Sequence, residues 1–232
     1  MTEVRSNPEA PARRDDHEGE GATRGTARME AFADGVFAIS FTLPVFQIIL
    51  PEGPRDPAAL GEDLLGIWPA YAGYALASLV IGLYWVHHHF SGAIYRTTGH
   101  WFLIATAVFL TMIGFIAFPA RVFIEHLFDP LARVAAAQYW VASIAAVSIA
   151  WLAKWEVGRR RGQVDNRLDP AYVSRLNGVY WRLGLLNLGA VALVFYRWEL
   201  GLGLSILLTL YLIRPPETPR YQTESPVVEG EA

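Results

Sequence analysis

Arg28, Glu30 and Asp34 stand at the front of an apolar run that continues to Phe46, and three consecutive histidines, His87 to His89, follow Tyr84 and Trp85 at the end of another. Ionised side chains at membrane depth cost about 3 kcal/mol each even on lenient insertion scales, so a chain that keeps them there uses them to pair, to relay protons or to guide ions. The histidine run invites a metal site. On a helix, however, neighbouring residues point about 100° apart, whereas two ligands from one helix stand three or four residues apart, as in zinc-protease motifs. The run therefore reads as a helix end at the membrane interface, with no metal, whose side chains can titrate near physiological pH. Cysteine is absent, which removes disulfides, thiolate metal sites and cysteine nucleophiles. A P-loop, a dinucleotide fingerprint, a nucleophile-elbow serine and a carbonyl-lined filter loop are also missing. No enzyme chemistry and no cofactor follow from these residues, and an ion pathway must be built from helices.

The elements that would carry these residues are membrane helices. Hydrophobic residues make up 53% of the chain, mean hydropathy is +0.27, and the charges crowd into the ends and a few connections. Apolar runs of about 20 residues predict six spans: Arg28 to Leu50, Leu64 to His87, Trp101 to Val122, Leu131 to Trp155, Tyr172 to Tyr196 and Trp198 to Ile213, the last one short. Period-2 alternation is absent, which argues against a transmembrane barrel. Residues 1–27 and 214–232 are polar and proline-bearing and are expected to be disordered tails, leaving a membrane domain over 28–213. With the N-terminus inside, the inner segments hold fourteen of the 19 basic residues, Lys154 and Arg159 to Arg161 among them, and the outer ones hold Arg55, Arg121, Arg133 and Arg197. That asymmetry places both termini in the cytoplasm of a multi-pass cell-membrane protein. A net charge of -3 argues against a nucleic-acid partner, and the arginine triplet reads as a topology signal that faces membrane lipid. Arg182 lies inside the fifth span, and is expected either in a second buried pair or snorkelling toward the cytoplasmic face.

At about 100° per residue, Phe32, Gly35, Ile39, Thr42, Leu43 and Phe46 form one stripe along the first helix. Asp34 is turned about 140° from Ile39 and should point toward neighbouring helices, while Arg28 and Asp34, six residues apart, occupy different faces. Stripes of this kind also arise from ordinary helix packing.

The run Arg28-x-x-x-Phe32-Ala33-Asp34-Gly35-Val36-Phe37-Ala38-Ile39-x-x-Thr42-Leu43 resembles the signature of the transmembrane protein 175 family, the lysosomal-type potassium channels and their prokaryotic relatives, whose first helix carries Arg-x-x-x-Phe-Ser-Asp-x-x-x-x-Ile-x-x-Thr-Leu. Tyr84-Trp85-Val86-His87-His88-His89-Phe90 is similar to the family's tryptophan and histidine segment, and Phe115-Ile116-Ala117-Phe118-Pro119 to its third-helix ending. The resemblance implies an all-α membrane protein with six transmembrane helices per subunit, assembling as a homotetramer whose first helix lines a central potassium-permeable pore. By position, Ile39 would be the constriction, with Thr42, Leu43 and Phe46 as further rings. Arg28, Asp34, Trp85 and His88 would form a structural polar network between the first two helices. The implied partners are potassium ions, further copies of the chain and membrane lipid.

Three residues depart from the pattern. Ala33 replaces the motif serine, Pro44 should kink the helix just past Thr42, and Phe46 is bulkier than the usual aliphatic residue. A proton- or cation-coupled secondary transporter is the alternative, although an internal repeat, which such proteins usually show, is not found in residues 131–213.

Overall fold

The computed structural model describes residues 25–50 and 60–222. Apolar spans in a membrane satisfy their backbone groups internally as helices or closed barrels, and the described chain is mainly helical, with no sheet strand among the described residues. Helix α1 (Ala27–Thr42) runs on as a tighter 3-10 turn, Leu43–Gln47. A short α2 (Leu60–Gly66) precedes α3 (Trp68–Ser91). Helices α4 (His100–Phe115) and α5 (Ala117–His126) follow, then the long α6 (Arg133–Arg160), α7 (Pro170–Tyr196) and α8 (Trp198–Tyr211).

Prolines set several of the boundaries. Pro44 has no N–H to give to the carbonyl four residues back, and the α-helix ends at Thr42 with Pro44 in the first turn of the 3-10 segment. Pro119 does the same to the third span, which breaks at Ile116 between α4 and α5. Pro69 and Pro170 sit in the first turns of α3 and α7, where a missing N–H costs nothing. The second span therefore starts at Trp68, four residues later than the hydropathy pattern suggested. Asp169 caps α7 by accepting a hydrogen bond from the Ala171 N–H at 2.8 Å.

Among the described residues, five segments are long and apolar enough to cross a membrane: Ala27–Gln47, Trp68–Ile94, His100–His126, Arg133–Arg160 and Pro170–Tyr196. The expected sixth, α8, has 14 residues, about 21 Å of helix against a hydrocarbon core of about 30 Å. It folds back along α7 from a single extended residue, Arg197. Gly201 makes this possible: a Cβ there would lie 2.3 Å from the Val194 nitrogen.

Helix α6 lies at the centre, against α4, α5, α7 and α8, while α1 packs against α3 and α4. Aromatic rings from four helices fill the middle: Phe37, Tyr84, Phe109 and Trp151. Toward one end a second cluster joins Met29, Tyr95, Phe102, Trp155 and Tyr172. That same end gathers the α3–α4 and α6–α7 connections through a bridge between Tyr95 and Val164.

Residues 214–222, expected to be part of a mobile tail, are instead tied to this end. Tyr221 bridges to Leu168, the Gln222 N–H donates to the Arg167 carbonyl at 2.8 Å, and Arg175 pairs with Glu217 at 2.9 Å. The tail expectations for 1–24 and 223–232 lie outside the described residues. Arg182 is exposed and donates to the Gly178 carbonyl at 3.1 Å, so it belongs to no buried pair.

Asp165 closes the α6–α7 connection. It accepts from Arg167 Nη2 at 2.7 Å and from the Arg167 N–H at 2.9 Å, and this guanidinium holds its carboxyl down at about 2, from an ordinary 3.8. A depressed pKa contributes stability above the unfolded value and loses it as pH falls through the folded one. D165N should accordingly speed amide exchange over residues 163–168 at pH 7, and the difference from the parent protein should shrink as pH drops from about 4 to about 2. A difference independent of pH would remove the ion pair as its cause.

Candidate functional site

Helix α1 has two unlike sides. Met29, Ala33, Phe37, Ser40 and Pro44, at steps of three and four, are buried against the subunit. Phe32, Ile39, Leu43 and Phe46 are 62%, 57%, 52% and 75% exposed, and Gly35 and Thr42 lie open beside them. The stripe read from the sequence thus lies on the uncovered part of the helix, which also takes in Phe41 and Val45, 41% and 45% exposed. Thr42 Oγ1 donates back to the Ala38 carbonyl at 2.8 Å, which leaves the lone pairs of its oxygen free. Phe41 turns toward α3, where a Cβ on Gly82 would meet its ring at 3.6 Å.

Of the four residues assigned to a polar network, the structure brings two together. Trp85 Nε1 on α3 donates to Asp34 Oδ1 at 3.2 Å, and both side chains border a groove of about 750 Å³ with Phe41, Thr42, Ile81 and Gly82. His88 stands apart from them in the aromatic core, 3% exposed. Its ring is stacked on Phe109 and edge-on to Phe37, and its Nε2 has no partner among the described residues. Arg28 is exposed and borders a separate hollow of about 710 Å³ with Phe32 and Arg96, away from Asp34. The other two histidines diverge: His87 Nε2 donates to the Leu212 carbonyl at 2.9 Å, and the ring of His89 lies 5.9 Å from that of Trp85. No three potential ligands converge on a metal-sized site among the described residues.

Two charged residues were given no site role by sequence reasoning. Lys154, counted there as a cytoplasmic charge, is 1% exposed within α6. Glu30 of α1 turns inward, its Oε1 3.3 Å from where a Cβ on Gly92 would lie. The signal that could have found Lys154 is compositional: it is the only lysine in the chain, and it sits within the predicted fourth span rather than after it.

Comparison with known proteins follows the same residues. Residues 28–117 match the family described as the endosomal/lysosomal potassium channel TMEM175. A potassium channel of Chamaesiphon minutus is 32% identical over 189 residues, covering 80% of this chain and 92% of the relative. A potassium channel of Streptomyces collinus is 32% identical over 188 residues, covering 80% and 90%. Among solved structures, the crystal structure of a lysosomal potassium-selective channel TMEM175 homologue from Chamaesiphon minutus superposes with a TM-score of 0.64 at 27% identity, over 81% of this chain and 96% of that one. The motif on α1, the helical bundle around it and the near full-length similarity to these relatives make this multi-pass membrane chain a member of the TMEM175 potassium-channel family.

Proposed function

We propose that the chain is a potassium-permeable channel subunit that assembles as a homotetramer in the cell membrane with both termini in the cytoplasm, α1 of each copy lining the central pathway and Ile39 forming its narrowest ring. The observation that carries this reading is the open face of α1: a row of large apolar side chains that its own subunit leaves uncovered, on the helix that bears the family motif. One subunit with one such helix cannot enclose a pathway, and closed cyclic symmetry is the ordinary solution.

Four Ile39 side chains meeting on the axis would hold the closed pore by dewetting, and Thr42 would add a ring of hydroxyl oxygens one turn beyond. Without carbonyl ligands to replace the water shell, selectivity rests on pore diameter and the cost of ion dehydration. In this reading Asp34 and Trp85 join α1 to α3, Arg28 and His88 serve as scaffold, and the groove beside Trp85 receives side chains of the next copy. Relatives named as potassium channels support the channel and give no support to a coupled transporter.

Current from purified protein in planar bilayers under a potassium gradient tests the whole reading; absence of any monovalent cation current overturns it. In that assay I39A and I39N should raise current and lower potassium preference, because each widens or wets the constriction. Unchanged conduction in both would move the gate elsewhere.

The absence of native cysteine allows single cysteines to be read without background. Aqueous thiol reagents should modify positions 39, 42 and 46 in the assembled channel and spare position 41, about 160° from 39 on the helix. Labelling at 41 with none at 39 would put the opposite face on the pathway. Cross-linking in mild detergent should end at four copies; a ladder that stops at two would refute the tetramer.

A further inference from the structure

Eighteen of the 19 basic residues are arginines, and the single lysine is the buried one. Lys154 Nζ has no hydrogen-bond partner among the described residues. Three ring faces enclose it instead, those of Trp151, Tyr95 and Phe109, at 4.7, 5.3 and 5.7 Å. Ring quadrupoles return part of the cost of desolvating an ammonium, but its three N–H donors remain unmet. An ionisable side chain kept inside a membrane bundle at that cost has a partner or a task.

The charged or titratable groups that face it are Glu30 from α1, His88 from α3 and Tyr95 from the connection that follows α3. Glu30 is the acid among them. No hydrogen bond joins it to Lys154 Nζ. Its carboxylate rests against Gly92 at the end of α3, three residues before Tyr95, whose ring faces the ammonium at 5.3 Å. Opposite charges that close act on each other across the gap. Glu30 also precedes Ile39 by nine residues, which turns it about 180° from the open face of α1. A pull on Glu30 therefore acts on the back of the helix whose front carries the constriction, and it comes from α6, beyond the helices α3 and α4 on which α1 packs.

We propose that Lys154 is a positioning residue for the conduction pathway: its ammonium, fixed in the aromatic box, holds Glu30 at the base of α1 and so sets the lean of that helix and the closure of the Ile39 ring. The proposal rests on α1 being the pore-lining helix. In a fourfold assembly the pair acts four times on one ring.

A double-mutant cycle on the full-length protein tests it, with K154M, which keeps the length and removes the charge, E30Q, which keeps the shape, and the double variant, each measured by single-channel open probability and by thermal unfolding. Each single variant should shift open probability in the same direction, on the order of tenfold, and the double variant no further than either alone, because both remove one interaction. Unfolding temperature should follow the same non-additive pattern, because K154M and E30Q each remove one side of a single interaction. Additive effects, or an open probability unchanged by K154M, would overturn the proposal. If K154M does not assemble, E30K decides: a like charge facing the ammonium must shift open probability beyond E30Q, and equal shifts would overturn it. A wild-type protein that conducts no cation would sink the pore reading instead, and the pair would then be judged on unfolding temperature alone, where additivity refutes it.

Discussion

A helix that meets its own subunit on one side and leaves the other side open can be held only through the first side. That constraint organises the bundle. The period of 3.6 residues puts Met29, Ala33, Phe37 and Ser40 on the anchored side of α1, and the chain fills that side with close-packed groups. Ala33 is fully buried in the apolar cluster, so the hydroxyl of the family's motif serine has no counterpart here. Phe37 reaches deeper, against His88 and Phe109. Trp85 adds a directional bond to Asp34 where van der Waals contact alone would let the helix roll. Such a bond counts for more where few water molecules compete for its donor.

The helical bundle and the open stripe were legible in the sequence because both follow from periodicities that survive any tertiary detail: hydropathy over about 20 residues, and spacing of three and four along one helix. Boundaries were less legible. Hydropathy treats proline as mildly apolar and so ran the third span through Pro119 and began the second before Pro69, where backbone hydrogen bonding forbids continuity. The docking of residues 214–222 escaped because it is made by backbone bridges and by Arg175 with Glu217, contacts between segments far apart in sequence. Lys154 escaped for a different reason. Counting basic residues by segment assigns each to a side of the membrane, and that bookkeeping cannot distinguish a charge beyond a helix end from one drawn back into the protein.

The interior is polar in a selective way. Asn187 donates to Ser148 Oγ at 3.2 Å and to the Leu183 carbonyl at 2.9 Å, and Trp155 Nε1 donates to Asn177 Oδ1 at 2.9 Å. These bonds run between α6 and α7 or along α7 itself, on the side of the bundle away from α1. They act between helices already in close contact, where small residues such as Gly184, over which Leu152 lies, bring the backbones together. Unmet polar atoms occur on both sides among the described residues: Asn187 Oδ1 and Ser205 Oγ on α7 and α8, and His88 Nε2 and Lys154 Nζ in the aromatic core that Phe37 of α1 enters.

The brevity of α8 bears on how the protein is made. At 14 residues it is a weak candidate for independent recognition by the insertion machinery, and it ends beside Leu183 rather than level with Pro170, where α7 begins. Its path is completed by Leu212 to Glu217, irregular chain that lies against His87 and Tyr172, which is where non-helical backbone at such depth can be tolerated. The segment is built as the second limb of a hairpin with α7, fastened to α3 and α7 by the chain that follows it. A chain without residues 212–217 would lose these contacts, leaving α8 to its packing on α6 and α7 alone.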